Sequence, residues 1–369
     1  MRLARIINRG KILLFLRVLF HAPAILLLYI RLLLLSLRLK KRVIIYTGIY
    51  GQLGNRLILF LHFIQFCKKY DCVFICPSFQ EYAHFFKKFK GDFIPSYPAN
   101  LENRSLLGSK NWKRYSFYLK VISALQLKIR LFPLTTAENL HFFEYSDASD
   151  SESDVKNFHG KTFYLDSELF LHRARKSKIL LMTGWRYRVG EFDTSPMMRE
   201  EILRFLALKD EVVDTAVDRI KVLRGQFDRI IAVHHRRKDY KEWLNGKFFF
   251  EIDDIKRKMI EVSEALKEAG FRKILFIIFS DEKGQGYSIP SADTQMSNGD
   301  MAEDLYFMSQ CDLIIGPPST FSGWASYAGR VPIFHIFSLR EKVRLESFRI
   351  LETWNGVEVP LISGETFIL

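Results

Sequence analysis

Three short apolar runs in the second half of the chain each end in residues that can handle an anion or a sugar. Residues 229–233 run into His234-His235-Arg236-Arg237. Residues 273–279 run into Ser280-Asp281, and residues 312–315 into Gly316-Pro-Pro-Ser319-Thr320. A guanidinium grips phosphate oxygens through parallel N–H bonds, so Arg236 and Arg237 suit a phosphate. Ser319 and Thr320 precede a segment that reads as a helix, where hydroxyls and open backbone N–H groups hold another phosphate oxygen. Asp281 suits a ribose or sugar hydroxyl. Taken singly, an arginine pair at a strand end is commonly surface charge, and a Ser-Thr pair before a helix is commonly an N-cap. The convergence of three such ends points to a nucleotide-diphosphate pocket.

The elements that must position these residues alternate along the chain. Strands are expected at 43–46, 72–76, 178–182, 229–233, 273–279, 312–315 and 331–334. Helices are expected at 56–69, 253–269, 301–309 and 321–329, with one helical stretch over 197–224 bridging the halves. Continuous apolar strands alternating with helices mean parallel sheets covered on both faces. The fold class is therefore α/β with two Rossmann-like domains. Ligands in such sheets bind beyond the carboxyl ends of the strands. Residues 81–145 are aromatic without a clear period, and 147–154 form an acidic polar run that reads as a solvated loop.

The first strand is followed by Gly48, Gly51 and Gly54. This is G-x-x-G-x-x-G, neither a dinucleotide fingerprint nor a P-loop, and a tight strand-to-helix turn accounts for it equally well. The chain has no Asp-x-Asp and no His, Asp and Glu grouping at metal-ligand spacing, so no metal is expected.

Of 369 residues, 48% are hydrophobic and 26% charged, with no short repeat, which excludes a disordered chain and a solenoid. The formal net charge is +14, but residues 1–42 hold seven Arg, three Lys and no acid. The rest of the chain is nearly balanced. A nucleic-acid-binding body would keep its surplus on the folded part, so nucleic acid is not an expected partner.

Residues 12–39 are mostly Leu, Ile, Phe and Val. Their longest stretch free of Arg and Lys, 18–30, is 13 residues, short of the about 20 that a spanning helix wants. On a helical wheel Arg17, His21, Arg31 and Arg38 fall in one stripe, and Pro23 would kink the helix near its middle. Residues 1–42 therefore read as an anchor on an anionic membrane surface, with the stripe among the headgroups. A tilted signal anchor and a helix packed on the body are the alternatives.

Cys67, Cys72, Cys76 and Cys311 form no CxxC pair and sit among apolar neighbours. They read as buried free thiols, which favours a reducing compartment. Asn103-Arg-Ser fits a glycosylation sequon, a triplet expected by chance.

His234-His-Arg-Arg-Lys-Asp-Tyr240 resembles the H-x-R-R-x-D-Y motif of the alpha-1,2-fucosyltransferases, whose H-x-R core is shared by GDP-fucose-dependent enzymes of GT-B fold. Gly51-Gln-Leu-Gly-Asn-Arg-Leu57 resembles their G-G-L-G-N-Q-M loop. Phe279-Ser-Asp281, Met308-Ser-Gln-Cys-Asp-Leu and Ser319-Thr-Phe-Ser-Gly-Trp-Ala325 resemble three further segments, in the same order. The resemblance covers about residues 43–337. Gln52, Arg56, Leu57, Lys238 and Gly323 depart from the pattern; those near the N-terminal loop bear on acceptor and linkage more than on donor.

The resemblance implies a GT-B-like fold, with an acceptor-side domain over 43–200 and a nucleotide-sugar-binding domain over 201–369. It implies an inverting, metal-independent transfer of L-fucose from GDP-β-L-fucose to a glycan hydroxyl. GDP-fucose would be the donor substrate, with no cofactor. Arg236 matches the arginine that neutralises the β-phosphate, and His234 would position it. Asp239 is a candidate base or a holder of the arginines. Arg237, Asp281, Ser319, Thr320 and Phe321 match donor-side positions, while Gly51, Gly54 and Asn55 form the loop on the acceptor side. A transferase of the same fold using another nucleotide sugar, and a non-catalytic glycan-assembly protein, are the alternative readings. Expected partners are a nucleotide sugar, a glycan acceptor and an anionic membrane. The expected location is the cytoplasmic membrane face in a bacterium, or a Golgi-type anchor in a eukaryote.

Overall fold

The structure, a computed structural model, describes residues 2–38, 41–49, 51–89, 95–98, 112–129, 134–136, 163–175, 178–182, 187–282, 286–353 and 361–362. The acidic run at 147–154 and the Asn103 triplet lie outside the described residues. The chain divides into two units. The first comprises 1–50, 59–146 and 161–191, and the second 51–58, 147–160 and 192–369.

In chain order the first half contains α1 (Arg2–Arg38), β1 (Arg42–Tyr46), α2 (Leu53–Tyr70), β2 (Cys72–Ile75), β3 (Ser96–Tyr97), α3 (Trp112–Ile129), β4 (Leu134–Thr136), β5 (Phe163–Tyr164), α4 (Glu168–Arg175), β6 (Ile179–Met182) and β7 (Tyr187–Arg188). The first unit's sheet runs β3-β2-β1-β6-β4, parallel except for β3. Val43, Ile45, Val73, Ile75, Ile179 and Leu181 alternate onto one face and pack under α1 and α3. The other face of β2 carries Phe74, whose ring stacks on Phe63 of α2 at 4.0 Å.

The helix does not break at Pro23: α1 is one element with Pro23 inside it. Val18, His21, Ile25, Leu28 and Leu32 follow a three-four spacing, the seam of a packed helix pair. Ile25, Leu28 and Leu32 are buried against Tyr115, Tyr118, Leu119 and Ile122. Packed residues thus lie on both sides of the proline. Two members of the polar stripe also point to α3 rather than outward. His21 Nδ1 lies 3.1 Å from the Tyr118 hydroxyl, and the Arg17 guanidinium sits over the Phe117 ring. The outward face is apolar instead, with Leu13, Phe15, Phe20, Leu26 and Leu34 exposed. Residues 12–32 are long and apolar enough to cross a membrane, by length and composition.

The second half contains α5 (Pro196–Phe205), α6 (Asp210–Arg224), β8 (Arg229–His235), α7 (Ile252–Glu268), β9 (Ile274–Ser280), β10 (Asp293–Met296), α8 (Met301–Met308), β11 (Leu313–Gly316), α9 (Thr320–Gly329) and β12 (Ile333–His335), then a small pair of β13 (Leu351–Thr353) and β14 (Leu361–Ile362). The expected single helix over 197–224 is two. It breaks where Phe205 and Leu206 turn into the core. The sheet is wholly parallel in the order β10-β9-β8-β11-β12. Renumbered within the unit, that is 3-2-1-4-5, the doubly wound order whose direction reverses between its first and fourth strands. Ile231, Val233, Phe276, Ile278, Leu313 and Ile315 pack against Ile255, Met259, Val262 and Leu266 of α7. By strand alternation His234 and Gly316 face away from α7. The described residues thus form two α/β units with parallel sheets, as expected, and the apolar helix α1 is part of the first.

Candidate functional site

The switch point of the second sheet lies between β8 and β11, and both strands end there in the residues singled out by sequence. β8 emerges as His234-His235-Arg236-Arg237. Arg236 turns back on Asp239 in a two-pronged pair, Nε to Oδ1 at 2.7 Å and Nη2 to Oδ2 at 2.5 Å. Burial works against the Arg236 charge, but Asp239 outweighs it and lifts the guanidinium above its ordinary range. The cation is therefore fixed in place, with its side chain 15% exposed. Its guanidinium lies 5.4 Å from the Tyr240 ring centre. The Tyr240 hydroxyl donates to the Pro318 carbonyl and ties the β8 loop to the β11 loop. Burial pushes that phenol up, so it stays neutral.

Arg237 takes a different part. Its Nε reaches Glu282 at 2.8 Å, Nη1 the Phe250 carbonyl at 3.0 Å and Nη2 Glu251 at 3.2 Å. Asp281 accepts from the backbone N–H of Arg237 at 2.8 Å and also from that of Lys238. Both residues shape the turn that presents Arg236. His235 is likewise absorbed by the scaffold, with Nδ1 2.6 Å from the Tyr287 hydroxyl and Nε2 3.0 Å from the Phe250 carbonyl.

His234 is not absorbed. Its ring is buried, and its Nδ1 has no hydrogen-bond partner among the described residues. Burial first, then the charge of Arg236, lowers its pKa to about 3. It is a neutral imidazole whose ring centre lies 5.4 Å from that of Phe321. Phe321 stands in the first turn of α9, where the Ser319 hydroxyl caps the helix by accepting from the Phe321 N–H at 3.2 Å. Ser319 is thus an N-cap, and the open N–H groups of this helix end remain available to an anion.

Two glycines make the assembly possible. Gly316 has φ +156°, and a Cβ there would lie 2.1 Å from the His234 carbonyl oxygen. A Cβ at Gly54 would lie 2.6 Å from the Phe321 nitrogen and 2.7 Å from the Thr320 carbonyl carbon. Within the second unit, then, the first turns of α2 and α9 meet backbone to backbone. Gly51, at φ +67°, is covered by the Asn55 side chain. The loop assigned by sequence to the 43–200 domain is grouped with the second unit and sits against the Thr320-Phe321 turn.

Tyr240, Gly316, Glu282 and Tyr287 were not among the sequence candidates. Tyr240 and Gly316 had a signal, since one closes the quoted H-x-R-R-x-D-Y segment and the other ends a strand. Glu282 and Tyr287 act through folding contacts that adjacency does not reveal. Among the described residues no three His, Cys, Asp or Glu side chains group as metal ligands.

Residues 189–356 match the model of the family described as Glycosyl transferase family 11. The match spans 168 of the 369 residues, less than half of the chain. The protein is a glycosyltransferase, and every strand of the switch-point sheet falls inside the matched segment. No curated relative matches the chain significantly. Among solved structures, a mutant of Arabidopsis thaliana FUT1 in complex with GDP overlaps with TM-score 0.47 at 11% identity, over 80% of this chain and 71% of that one. POFUT1 in complex with GDP gives 0.41 at 14%, over 80% and 98%. The fucosyltransferase NodZ from Bradyrhizobium gives 0.42 at 14%, over 80% and 95%. All three scores lie below 0.5.

Proposed function

We propose that the chain transfers L-fucose from GDP-β-L-fucose to a glycan hydroxyl, with inversion. The observation that carries the reading is Arg236, a guanidinium fixed by Asp239 at the switch point beside a neutral His234 and the N-terminus of α9. As the glycosidic bond breaks, negative charge builds on the diphosphate. A preoriented cation aimed at that charge lowers the barrier because it need not reorganise. His234 offers an unpartnered Nδ1 near the same charge. Arg237 and Asp281 hold the turn in register. Both oxygens of Asp239 lie on Arg236, so its role in this proposal is to position the arginine rather than to accept the acceptor's proton. Gly54 and Asn55 bring the second helix end up to Thr320 and Phe321.

The apolar outer face of α1 and the ten basic residues of 1–42 support a membrane-associated enzyme, with anionic lipid as the surface it meets. The glycan acceptor is the partner the reaction requires.

The test is calorimetry of the full-length protein against GDP-fucose, GDP-mannose, UDP-glucose and GDP, followed by turnover with the donor that binds. GDP-fucose binding tightly and being turned over is the expected outcome. Preference for a different nucleotide sugar would replace fucose in the reading, and binding of none would remove the transferase reading of the pocket.

A further inference from the structure

Cys67 lies in the last turn of α2 and Cys72 opens β2, with a turn at Tyr70-Asp71 between them where Asp71 takes φ +47°. Phe74 of β2 faces α2, as its stacking on Phe63 shows, and Cys72 shares that face by strand alternation. Cys67 follows Phe63 by four residues, one helical turn, so its side chain descends onto the same part of the strand. The two Sγ atoms are 2.9 Å apart. Bonded sulfurs stand about 2.05 Å apart, so closure asks for a shift of less than about 1 Å. Cys76 and Cys311 are engaged elsewhere, Cys76 Sγ with Ser78 Oγ and Cys311 Sγ with the Phe307 carbonyl.

We propose that Cys67 and Cys72 are a disulfide-forming pair, oxidised by a reagent of the disulfide class, whose bond fastens the end of α2 to the start of β2. A thiolate of the pair attacks one sulfur of the oxidant, forming a mixed disulfide and releasing one thiolate. The second cysteine gives up its proton and attacks the protein sulfur of that mixed bond, releasing the other. Two protein thiols and one external disulfide become one protein disulfide and two external thiols, which carry away both protons. Burial holds the Cys67 thiol well above its usual range, so exchange in the closed state is slow. Opening of the last turn of α2, at the chain's exposed Lys68-Lys69 end, is the route of access. The closed bond is then shielded from reductants by the same burial. This goes beyond the transferase reading; in the structure all four thiols are buried and free, as expected.

The test uses full-length protein incubated with oxidised glutathione, in buffer and in a low urea concentration that leaves it folded. The sample is then acid-quenched, denatured, alkylated with N-ethylmaleimide and mapped by mass spectrometry. The expected result is a Cys67–Cys72 fragment about 2 Da lighter and unalkylated, with Cys76 and Cys311 alkylated. Dithiothreitol restores alkylation, and the oxidised form melts several degrees higher. The Cys72→Ala variant should lose that rise, while its turnover, measured under reduction, matches wild type. Alkylation of Cys67 and Cys72 in both arms would overturn the proposal. So would a glutathione adduct persisting on either residue, or pairing of either with Cys76.

Discussion

The two sheets are both largely parallel, yet they spend their strand ends differently. In the second unit the switch point receives Arg236, His234 and the capped start of α9. In the first, β1 ends at Tyr46 and passes to Thr47, whose N–H and hydroxyl both bond the Met182 carbonyl of β6. One switch point is charged and left open, with a buried imidazole nitrogen unpartnered among the described residues; the described part of the other is closed on itself by a side chain and a backbone. The family 11 match covers 189–356 and so lies almost entirely on the open one. The proposed chemistry is placed on the second unit, while the described part of the first is built chiefly from apolar packing, including that of the N-terminal helix.

The largest effect should come from Arg236. Arg236→Ala should reduce turnover by about 10²–10³ while leaving the melting temperature unchanged, since loss of one charge-stabilising group costs that much. Asp239→Asn should fall between this variant and wild type, because it frees the guanidinium without removing it. A folded Arg236→Ala enzyme of near-normal rate would erase the contrast between the sheets. EDTA should not affect either enzyme; inactivation reversed by Mn²⁺ or Mg²⁺ would place a metal where the arginine is proposed to act.

Glycines in the two units should give the next largest difference. Gly54→Ala puts a methyl against the backbone of Thr320 and Phe321, which cannot yield as a flexible side chain would. Overpacking of this kind costs about 1–3 kcal/mol, and it should also weaken GDP binding by displacing the start of α9. Gly190→Ala in the first unit meets only the Asp166 carboxylate and the Tyr164 ring, nearest at 3.2 Å. It should leave GDP affinity unaltered. Equal losses from both, read by calorimetry, would mean that the Gly54 contact has no bearing on the nucleotide.

Much of this was legible in sequence, and the limits are physical. The strands of the second sheet stand out because a strand buried on both faces is an unbroken apolar run. β10 escapes notice because it is an edge strand of Asp-Thr-Gln-Met, half exposed. Arg236 stands out, but its partner stays between two roles, since spacing alone does not tell a base from a counter-ion. The approach of Gly54 to Phe321 is invisible because the two are distant in sequence. The orientation of α1 differs from the expected one because its few polar residues, His21 and Arg17 among them, pack on Tyr118 and Phe117, partners distant in sequence.

Acid should separate the units further, by a smaller amount. Burial lowers His234 to about 3, and His235 and His335 to about 4. These imidazoles stay neutral when folded, whereas unfolded histidine titrates near 6.5. The unfolded chain therefore takes up protons first, and stability is lost as pH falls from about 6.5 toward 4. For His234 alone the loss between pH 6.5 and 5 is about 2 kcal/mol. Asp304 acts in the opposite sense: burial raises it to about 6, so the folded state gains a proton first between about pH 6 and 4. One carboxyl against three imidazoles leaves a net loss. Hydrogen exchange at about pH 5 should show α7, β8 and β11 opening before β1 and β2, and the reverse order would contradict it.

The smallest effect on the nucleotide should come from the N-terminal helix, where the length removed decides what a truncation reports. Removing residues 1–40 takes Ile25, Leu28 and Leu32 out of the first unit's core. Each buried side chain of that size contributes about 1.5–3 kcal/mol, so the deletion should destabilise the first unit as well as detach the protein from membrane. Removing residues 1–16 stops ahead of the seam that begins at Val18, and deletes four basic residues together with exposed Leu13, Leu14, Phe15 and Leu16. That shorter deletion should keep the melting temperature and leave GDP affinity within about twofold, a difference below about 0.4 kcal/mol. It should also sediment less with anionic vesicles than the full chain. Salt should release the full chain only in part, because charge is screened and apolar burial is not. Equal sedimentation of both forms would place the membrane contact elsewhere on the protein. A protease-protected segment with tags on opposite sides of the vesicle would show a span. Loss of GDP affinity in the shorter deletion would mean that the exposed start of α1, and not the strand ends of the second unit alone, bears on the nucleotide site.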